Sequence, residues 1–185
     1  PMLEPVMLPV LNMVFSEGGD FIEFIEHGLE AVQYLTCYNK NGIGEALWQL
    51  FPKFYHCFNL FAFDFIGEMV GPMDNYISLS PDMFLRGVAQ TENGPMPFPN
   101  LVCQMVEKVY KENGNSDHEV ALATQLLMSM IHNCHGRVDS YVPPIVQLGL
   151  EKLNEVMPHG EESNGAMRVR ASIISLFLSC LHYNA

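Results

Sequence analysis

Apolar side chains recur every three to four residues along almost the whole chain, a spacing that places them on one face of an α-helix. No run alternates between apolar and polar residues as a half-buried β-strand does, and no Asn-Gly turn lies between β-branched runs. The pattern therefore predicts an all-α fold. The stretches with helical period cover residues 3–16, 20–38, 45–61, 65–79, 98–112, 116–134, 138–157 and 166–183.

One connection between these helices, residues 80–97, is longer than the others. Pro81 suits the start of a short extra helical turn, because proline is tolerated in the first position of a helix. Residues 90–99 contain one glycine and three prolines, which indicates a loop. Residues 83–85 are apolar, so they either pack across the neighbouring repeat or offer a docking patch.

The predicted helices form pairs, and the pairs repeat along the chain. Pro9 and Pro52 are 43 residues apart, and Pro52 and Pro144 are 92 apart, which is twice 46. These prolines either kink the interior of a helix or mark an ordinary helix start. A period of about 40 to 47 residues with two helices each is typical of HEAT and armadillo repeats. We therefore expect an α-solenoid of about four HEAT repeats, over residues 1–38, 44–79, 98–136 and 138–183.

Acidic residues dominate the charged positions. Asp and Glu number 21 against nine Lys and Arg, so the net charge is −12. Such a surface repels phosphate, which argues against nucleic-acid binding and favours a basic partner or simple solubility. Residues 1–79 hold ten acids and two bases, whereas residues 80–185 hold eleven acids and seven bases. The negative field is therefore strongest in the first two repeats.

Two groups of motifs carry information beyond periodicity. The first group is ALWQLFP at 46–52, FDF at 63–65 and DNYI at 74–77, with YLTC at 34–37 before it. The second group is CHGR at 134–137, YVP at 141–143 and LHYNA at 181–185. Together they resemble the C-terminal half of the importin-β superfamily, and within it the importin-seven/importin-eight class of nuclear transport receptors.

The resemblance implies a longer superhelical receptor that shuttles between cytoplasm and nucleus. The chain begins at Pro1 rather than at methionine, so we expect it to be a piece of that receptor. Members of the family bind protein cargo, Ran GTPase and the Phe-Gly repeats of nucleoporins, and an association with importin-β is also implied. Their Ran contacts lie mainly in regions outside this chain. Ribosomal proteins and histones are the basic cargo that the resemblance suggests.

A row of carboxylates is the candidate cargo-binding surface. Glu23, Glu26 and Glu30 follow a spacing of three to four residues opposite the apolar stripe, so they share one solvent face. In HEAT repeats the second helix of each pair lines the concave surface, and stacking would add Glu68 and Asp74. These five residues are predicted to bind basic cargo. The alternative is a solvated face that serves solubility alone.

Three other functions use the same architecture or a related one. The chain fits an export receptor of the same superfamily or a passive HEAT-repeat scaffold. An enzyme or ligand carrier on a helical bundle would need a closed pocket, and no GxSxG, GxGxxG, HExxH or P-loop motif is present. We therefore expect no enzyme, no cofactor and no membrane span, since the richest apolar run, residues 54–63, is only ten residues long.

Several titratable side chains lie outside the acidic row. His132, Cys134 and His135 lie close together, with His118 upstream, but no second pair of ligands completes a zinc site, so no metal is expected. The five cysteines form no CxxC motif and are predicted to be reduced, buried thiols of a cytosolic or nuclear protein. The two arginines of the last helix either form surface ion pairs or bind an acidic element of a partner. These are Arg168 and Arg170, and acids of the preceding helix, such as Glu151 or Glu155, are the expected partners.

Overall fold

The computed structural model describes residues 3–38, 42–112, 116–134, 136–156 and 163–183. The helices in this part of the chain are α1 (Glu4–Val14), α2 (Ile25–Cys37), α3 (Glu45–Trp48), α4 (Phe51–Leu60), α5 (Ile66–Leu79), α6 (Pro81–Arg86), α7 (Phe98–Lys111), α8 (Asp117–Asn133), α9 (Val142–Glu155) and α10 (Asn164–Tyr183). The two strands are β1 (Val88–Thr91) and β2 (Gly94–Pro97). The predicted all-α, helical-repeat class is confirmed, with one small hairpin added to it.

The chain divides into two compact units, Pro1–Leu101 and Val102–Ala185, and the division falls within α7. In the first unit α1 packs on α2, α4 packs on α5, and α2 and α5 lie side by side. In the second unit α9 packs on α10, and α8 lies along α10. Contact between the second helices of successive pairs is the arrangement expected of stacked helical repeats. The four repeat boundaries given above stay a prediction.

Prolines and short 3-10 turns set the starts of several helices. The predicted helix over residues 20–38 starts with a 3-10 turn, Ile22–Phe24, and becomes α-helical at Ile25. Pro52 lies in the first turn of α4 and Pro144 in the first turn of α9, where a proline breaks no backbone hydrogen bond. For these two residues, the alternative that they kink the interior of a helix is therefore wrong. Pro9, by contrast, does lie inside α1.

The hairpin of β1 and β2 corrects the prediction of a plain loop at residues 90–99. The strands pair antiparallel, with Thr91 opposite Gly94, and Gly94 has a φ of 99° that favours glycine. Pro95 and Pro97 occupy alternate positions on β2. Alternate residues of an antiparallel strand direct their N–H groups away from the partner, so both prolines fit without loss of a ladder bond.

Aromatic side chains fill the core of the first unit. Phe51 is fully buried, with its ring centre 5.3 Å from that of Tyr76 and 4.7 Å from that of Phe98. The Tyr76 hydroxyl donates a 2.6 Å hydrogen bond to the carbonyl oxygen of Leu47. This bond ties α5 to α3, which is only four residues long.

The core of the second unit combines aliphatic packing with one buried hydroxyl pair. Tyr110 of α7 donates to the Thr124 hydroxyl of α8 at 2.7 Å, since the Thr124 hydroxyl itself donates to the Val120 carbonyl oxygen. On the other side, α9 approaches α10 closely at Gly149. A Cβ atom there would lie 2.7 Å from the ring of Phe177, so a larger residue would push the two helices apart.

Candidate functional site

The five predicted cargo-binding acids all belong to the first unit, and they lie on or just before the adjacent helices α2 and α5. Glu26 and Glu30 are exposed on α2, and Glu68 is exposed on α5. Glu23 is exposed in the 3-10 turn that leads into α2, so helical spacing does not determine its direction. Asp74, on α5, is half-buried.

Two polar contacts fix α2 against α5. The Asn75 side chain donates to the backbone carbonyl oxygen of Gln33 at 3.0 Å and to the Thr36 hydroxyl oxygen at 2.9 Å. One turn earlier on α5, a Cβ at Gly71 would lie 2.9 Å from the side-chain amide of Gln33. The absence of a side chain at Gly71 therefore lets the two helices approach closely.

The same contacts show how the acids are arranged. Residues further along α2 contact residues further along α5, so the two helices run parallel. Glu30 lies three residues before Gln33, and Glu68 lies three residues before Gly71, so the two carboxylates occupy the same level of adjacent helices. The parallel stacking thus places Glu30 and Glu68, which are 38 residues apart in the sequence, at similar heights on adjacent helices.

Asp74 takes a different direction from Glu68. Each helical residue is rotated by about 100° from the one before it, so a separation of six positions leaves these two acids about 120° apart around α5. Glu26 and Glu30, four residues apart, differ by only about 40°. Glu26 and Glu30 are therefore exposed on one side of α2, whereas Asp74 and Glu68 point in different directions from α5, and the shared cargo-binding face stays a prediction.

Asp64 is an acid of this surface that the sequence reasoning missed. It is exposed in the 3-10 turn Phe63–Phe65, directly before α5, just as Glu23 lies in the turn directly before α2. The signal is an internal repeat, since an acid followed by Phe and Ile occurs at 23–25 and again at 64–66. We name the six residues Glu23, Glu26, Glu30, Asp64, Glu68 and Asp74 the α2–α5 acidic surface.

Cations do not neutralise this surface within the described part of the chain. Three ion pairs of the second unit join Lys108 to Glu112, Lys111 to Glu107 and Lys152 to Glu155. In the described part of the first unit, no Lys or Arg forms an ion pair with any of the six acids. Among the described residues, the negative charge of the α2–α5 acidic surface is therefore not compensated by ion pairs.

Among the described residues, Arg168 does not form the expected ion pair with Glu151 or Glu155. Arg168 donates a 2.9 Å hydrogen bond to Nδ1 of His118, and Arg170 donates to the carbonyl oxygen of Val156 at 3.3 Å. The two acids that were expected to pair with them have other partners, because Glu155 binds Lys152 and Glu151 accepts from Gln147.

No group of three or more His, Cys, Asp or Glu side chains in the described residues is placed to hold a metal ion. His135, one member of the histidine cluster, lies outside those residues. His132 donates to the Ser179 hydroxyl at 2.8 Å, since that hydroxyl donates to the Ser175 carbonyl oxygen. Partial burial, together with the nearby His182, lowers the pKa of His132, which favours its neutral form.

The cysteines differ in their surroundings. Burial raises the pKa of Cys57 to about 11 and that of Cys103 to about 12, so neither thiol ionises readily. Cys134 and Cys180 are also buried. Cys37, in contrast, is exposed at the end of α2, and for this residue the prediction of a buried thiol is wrong. No described helix has the length and apolar character needed to cross a bilayer.

Comparison with curated proteins gives consistent matches over nearly the whole chain. The chain is 24% identical over 182 residues to a probable importin-7 homolog of Dictyostelium discoideum, with 98% of this chain and 16% of the relative covered. It is 27% identical over 183 residues to importin-8 of Homo sapiens, with the same coverage. An importin beta-like SAD2 homolog of Arabidopsis thaliana is 28% identical over 152 residues, which are 82% of this chain and 14% of that protein.

The other two comparisons gave no match. No protein-family model matches the chain. No solved structure matches it either. The chain spans about 16% of the length of the curated relatives named first. The matches agree with the resemblance to the C-terminal region of the importin-β superfamily that the sequence motifs carry, and the chain is similar to importins of that superfamily over nearly its whole length.

Proposed function

We propose that the chain is part of a nuclear transport receptor and that its α2–α5 acidic surface binds basic protein cargo. The observation that carries this proposal is the parallel stacking of α2 and α5, which brings Glu30 and Glu68 to one level without a neighbouring cation. Lys and Arg side chains of ribosomal proteins or histones are the chemistry that complements such a surface.

The physics of exposed charges determines how this surface works. One exposed ion pair contributes only about 0.2 to 1 kcal/mol, because water screens it and both side chains lose freedom. Six carboxylates acting together supply useful affinity and accelerate the encounter with a cationic cargo. Binding through them is therefore expected to weaken strongly as the salt concentration rises.

The wider role of the receptor follows from its relatives. The names of two relatives given above describe them as importins, and import is the direction that we propose here. The same proposal includes four further properties of the receptor. It binds Phe-Gly nucleoporins, it releases cargo through Ran bound to regions outside this chain, it associates with importin-β, and it shuttles between cytoplasm and nucleus. The alternative is an export receptor of the superfamily, which binds cargo through the same surface and carries it out of the nucleus.

A set of charge-neutralising variants tests the acidic surface. The triple variant Glu26→Gln, Glu30→Gln and Glu68→Gln keeps side-chain shape and removes three charges. Its dissociation constant for a linker histone, measured by fluorescence anisotropy in 50 mM salt, is expected to rise at least threefold, because about three weak ion pairs are lost.

The matched control removes three charges elsewhere, with Glu45→Gln, Glu92→Gln and Glu151→Gln, all of which are exposed. It is expected to bind within twofold of the unmodified chain. Equal losses in the two triple variants would mean that only net charge matters, and would refute a cargo site on α2 and α5. Salt-independent binding of the histone would instead favour the passive scaffold.

A further inference from the structure

A polar groove lies between α8 and α10 in the second unit. Its volume is about 410 Å³, and it opens to solvent. His118 and Gln125 line it from α8, and Arg168 and Ser175 line it from α10. All four side chains are exposed, so a ligand has direct access to them.

The polar groups of this groove are hydrogen-bond donors. Because Nδ1 of His118 accepts from the Arg168 guanidinium, the imidazole proton lies on Nε2, where it is available to a ligand. The remaining N–H groups of Arg168 are also available. Gln125 and Ser175 add an amide and a hydroxyl, and neither side chain makes a hydrogen bond within the described residues.

The charge of Arg168 has no carboxylate partner in the part of the chain that the structure describes. Neither of the two acids in the first turn of α8 forms an ion pair with Arg168. Glu119 accepts from the backbone N–H of Ser116 at 2.7 Å as part of the capping box of α8. Asp117 lies against the backbone of Gly165, at the start of α10. The groove therefore offers one uncompensated positive charge within a strongly acidic protein.

Hydrogen-bond donors lie at two positions along the groove. Arg168 contacts His118, and further along His132 contacts Ser179, so α8 and α10 run parallel. Gln125 and Ser175 each lie seven residues after the first donor pair, about 10 Å along the helix axes. An extended peptide covers that distance in about three residues.

We propose that this groove binds an acidic peptide segment of a partner protein in an extended conformation. One Asp or Glu carboxylate accepts from the Arg168 guanidinium and from Nε2–H of His118. The peptide backbone or a polar side chain three residues away is bound by Gln125 and Ser175. The site differs from the α2–α5 acidic surface in location and in the charge of the partner, so it goes beyond the cargo binding proposed above.

A labelled peptide tests this proposal on the 185-residue chain. The probe is a fluorescein-labelled ten-residue peptide of alternating Glu and Ser, and the ligand control has Gln in place of Glu. Fluorescence anisotropy is expected to show binding of the Glu peptide alone. The Arg168→Gln variant is expected to weaken it about tenfold, the typical effect of losing a charge-assisted hydrogen bond to a carboxylate.

Two further variants complete the test. Arg86→Gln removes an equal exposed charge on α6 and is expected to bind within twofold of the unmodified chain. His118→Ala is expected to bind more weakly than the unmodified chain, and circular dichroism checks that each variant stays folded. Equal binding of the Glu and Gln peptides, no binding of either, or full affinity of folded Arg168→Gln would each overturn the proposal. The triple Gln variants of the cargo test leave this groove intact, so the two proposals fail independently.

Discussion

Tyr76 and Tyr110 each place a phenol hydroxyl inside one of the two units. Tyr76 donates to the Leu47 carbonyl oxygen and Tyr110 to the Thr124 hydroxyl. Burial raises the pKa of Tyr110 to about 12 and raises the pKa of Tyr76 further. Both hydroxyls therefore remain protonated donors at physiological pH, and each offsets the cost of burying a polar group.

The Tyr76→Phe variant is expected to lower the free energy of unfolding by about 1 kcal/mol, because it removes one buried hydrogen bond and leaves the ring in place. Urea denaturation followed by the fluorescence of Trp48, the single tryptophan, reports on the first unit, where both residues lie. Tyr34→Phe, at an exposed position, is the matched control and is expected to change the midpoint little. Equal effects of both substitutions would argue against the Tyr76 bond.

At the scale of secondary-structure elements, the contact of α2 with α5 determines the geometry of the proposed cargo site. Gly71 permits the close approach, and the side-chain amide of Asn75 joins the two helices. Neither residue is charged, yet together they determine the level of Glu30 relative to Glu68. The acidic surface is thus positioned by small and polar residues that contact no cargo in the proposal.

The Asn75→Ala variant is expected to destabilise the first unit by about 1 kcal/mol, because two hydrogen bonds between α2 and α5 are lost. Asn59→Ala is the control, since this exposed side chain donates to the Tyr55 carbonyl oxygen within its own helix, α4. Denaturation monitored at Trp48 compares the two. A larger loss for Asn59→Ala would show that the helix contact contributes little.

The elements also show how much the sequence could predict. Helices with a wide apolar face, such as α5 and α7, can be predicted from the spacing of their apolar residues, because one side of each helix is buried. The hairpin was missed because strands of four residues carry too few positions to establish alternation, and two prolines argued against β2. Asp64 was missed because its 3-10 turn has no helical period. The partners of Arg168 depend on contacts between distant segments, which local patterns do not encode.

At the scale of the whole molecule, the excess of acids affects stability as well as binding. A net charge of −12 includes six carboxylates on or just before α2 and α5 of the first unit, and like charges repel in the compact state. Hydrophobic burial must exceed this repulsion for the chain to fold. The repulsion is long-range and is therefore sensitive to salt.

Raising NaCl from 10 to 150 mM is expected to increase the apparent melting temperature of the chain by roughly 2 to 4 °C, the shift that about 1 kcal/mol gives for a chain of this size. Differential scanning fluorimetry in the two buffers measures it. The triple variant Glu26→Gln, Glu30→Gln and Glu68→Gln is expected to show a smaller increase. A melting temperature that falls with salt would mean that ion pairs outweigh the repulsion.

The prolines of the small hairpin bear on how the protein behaves at high concentration. With Pro95 and Pro97 on β2, the outer edge of that strand lacks the N–H groups through which another polypeptide would add to the sheet. The opposite strand, β1, offers only four residues, too few for a lasting intermolecular pairing. The one sheet in the described residues is thereby kept from seeding fibrils, although it lies in a chain whose apolar residues make up 49% of the sequence.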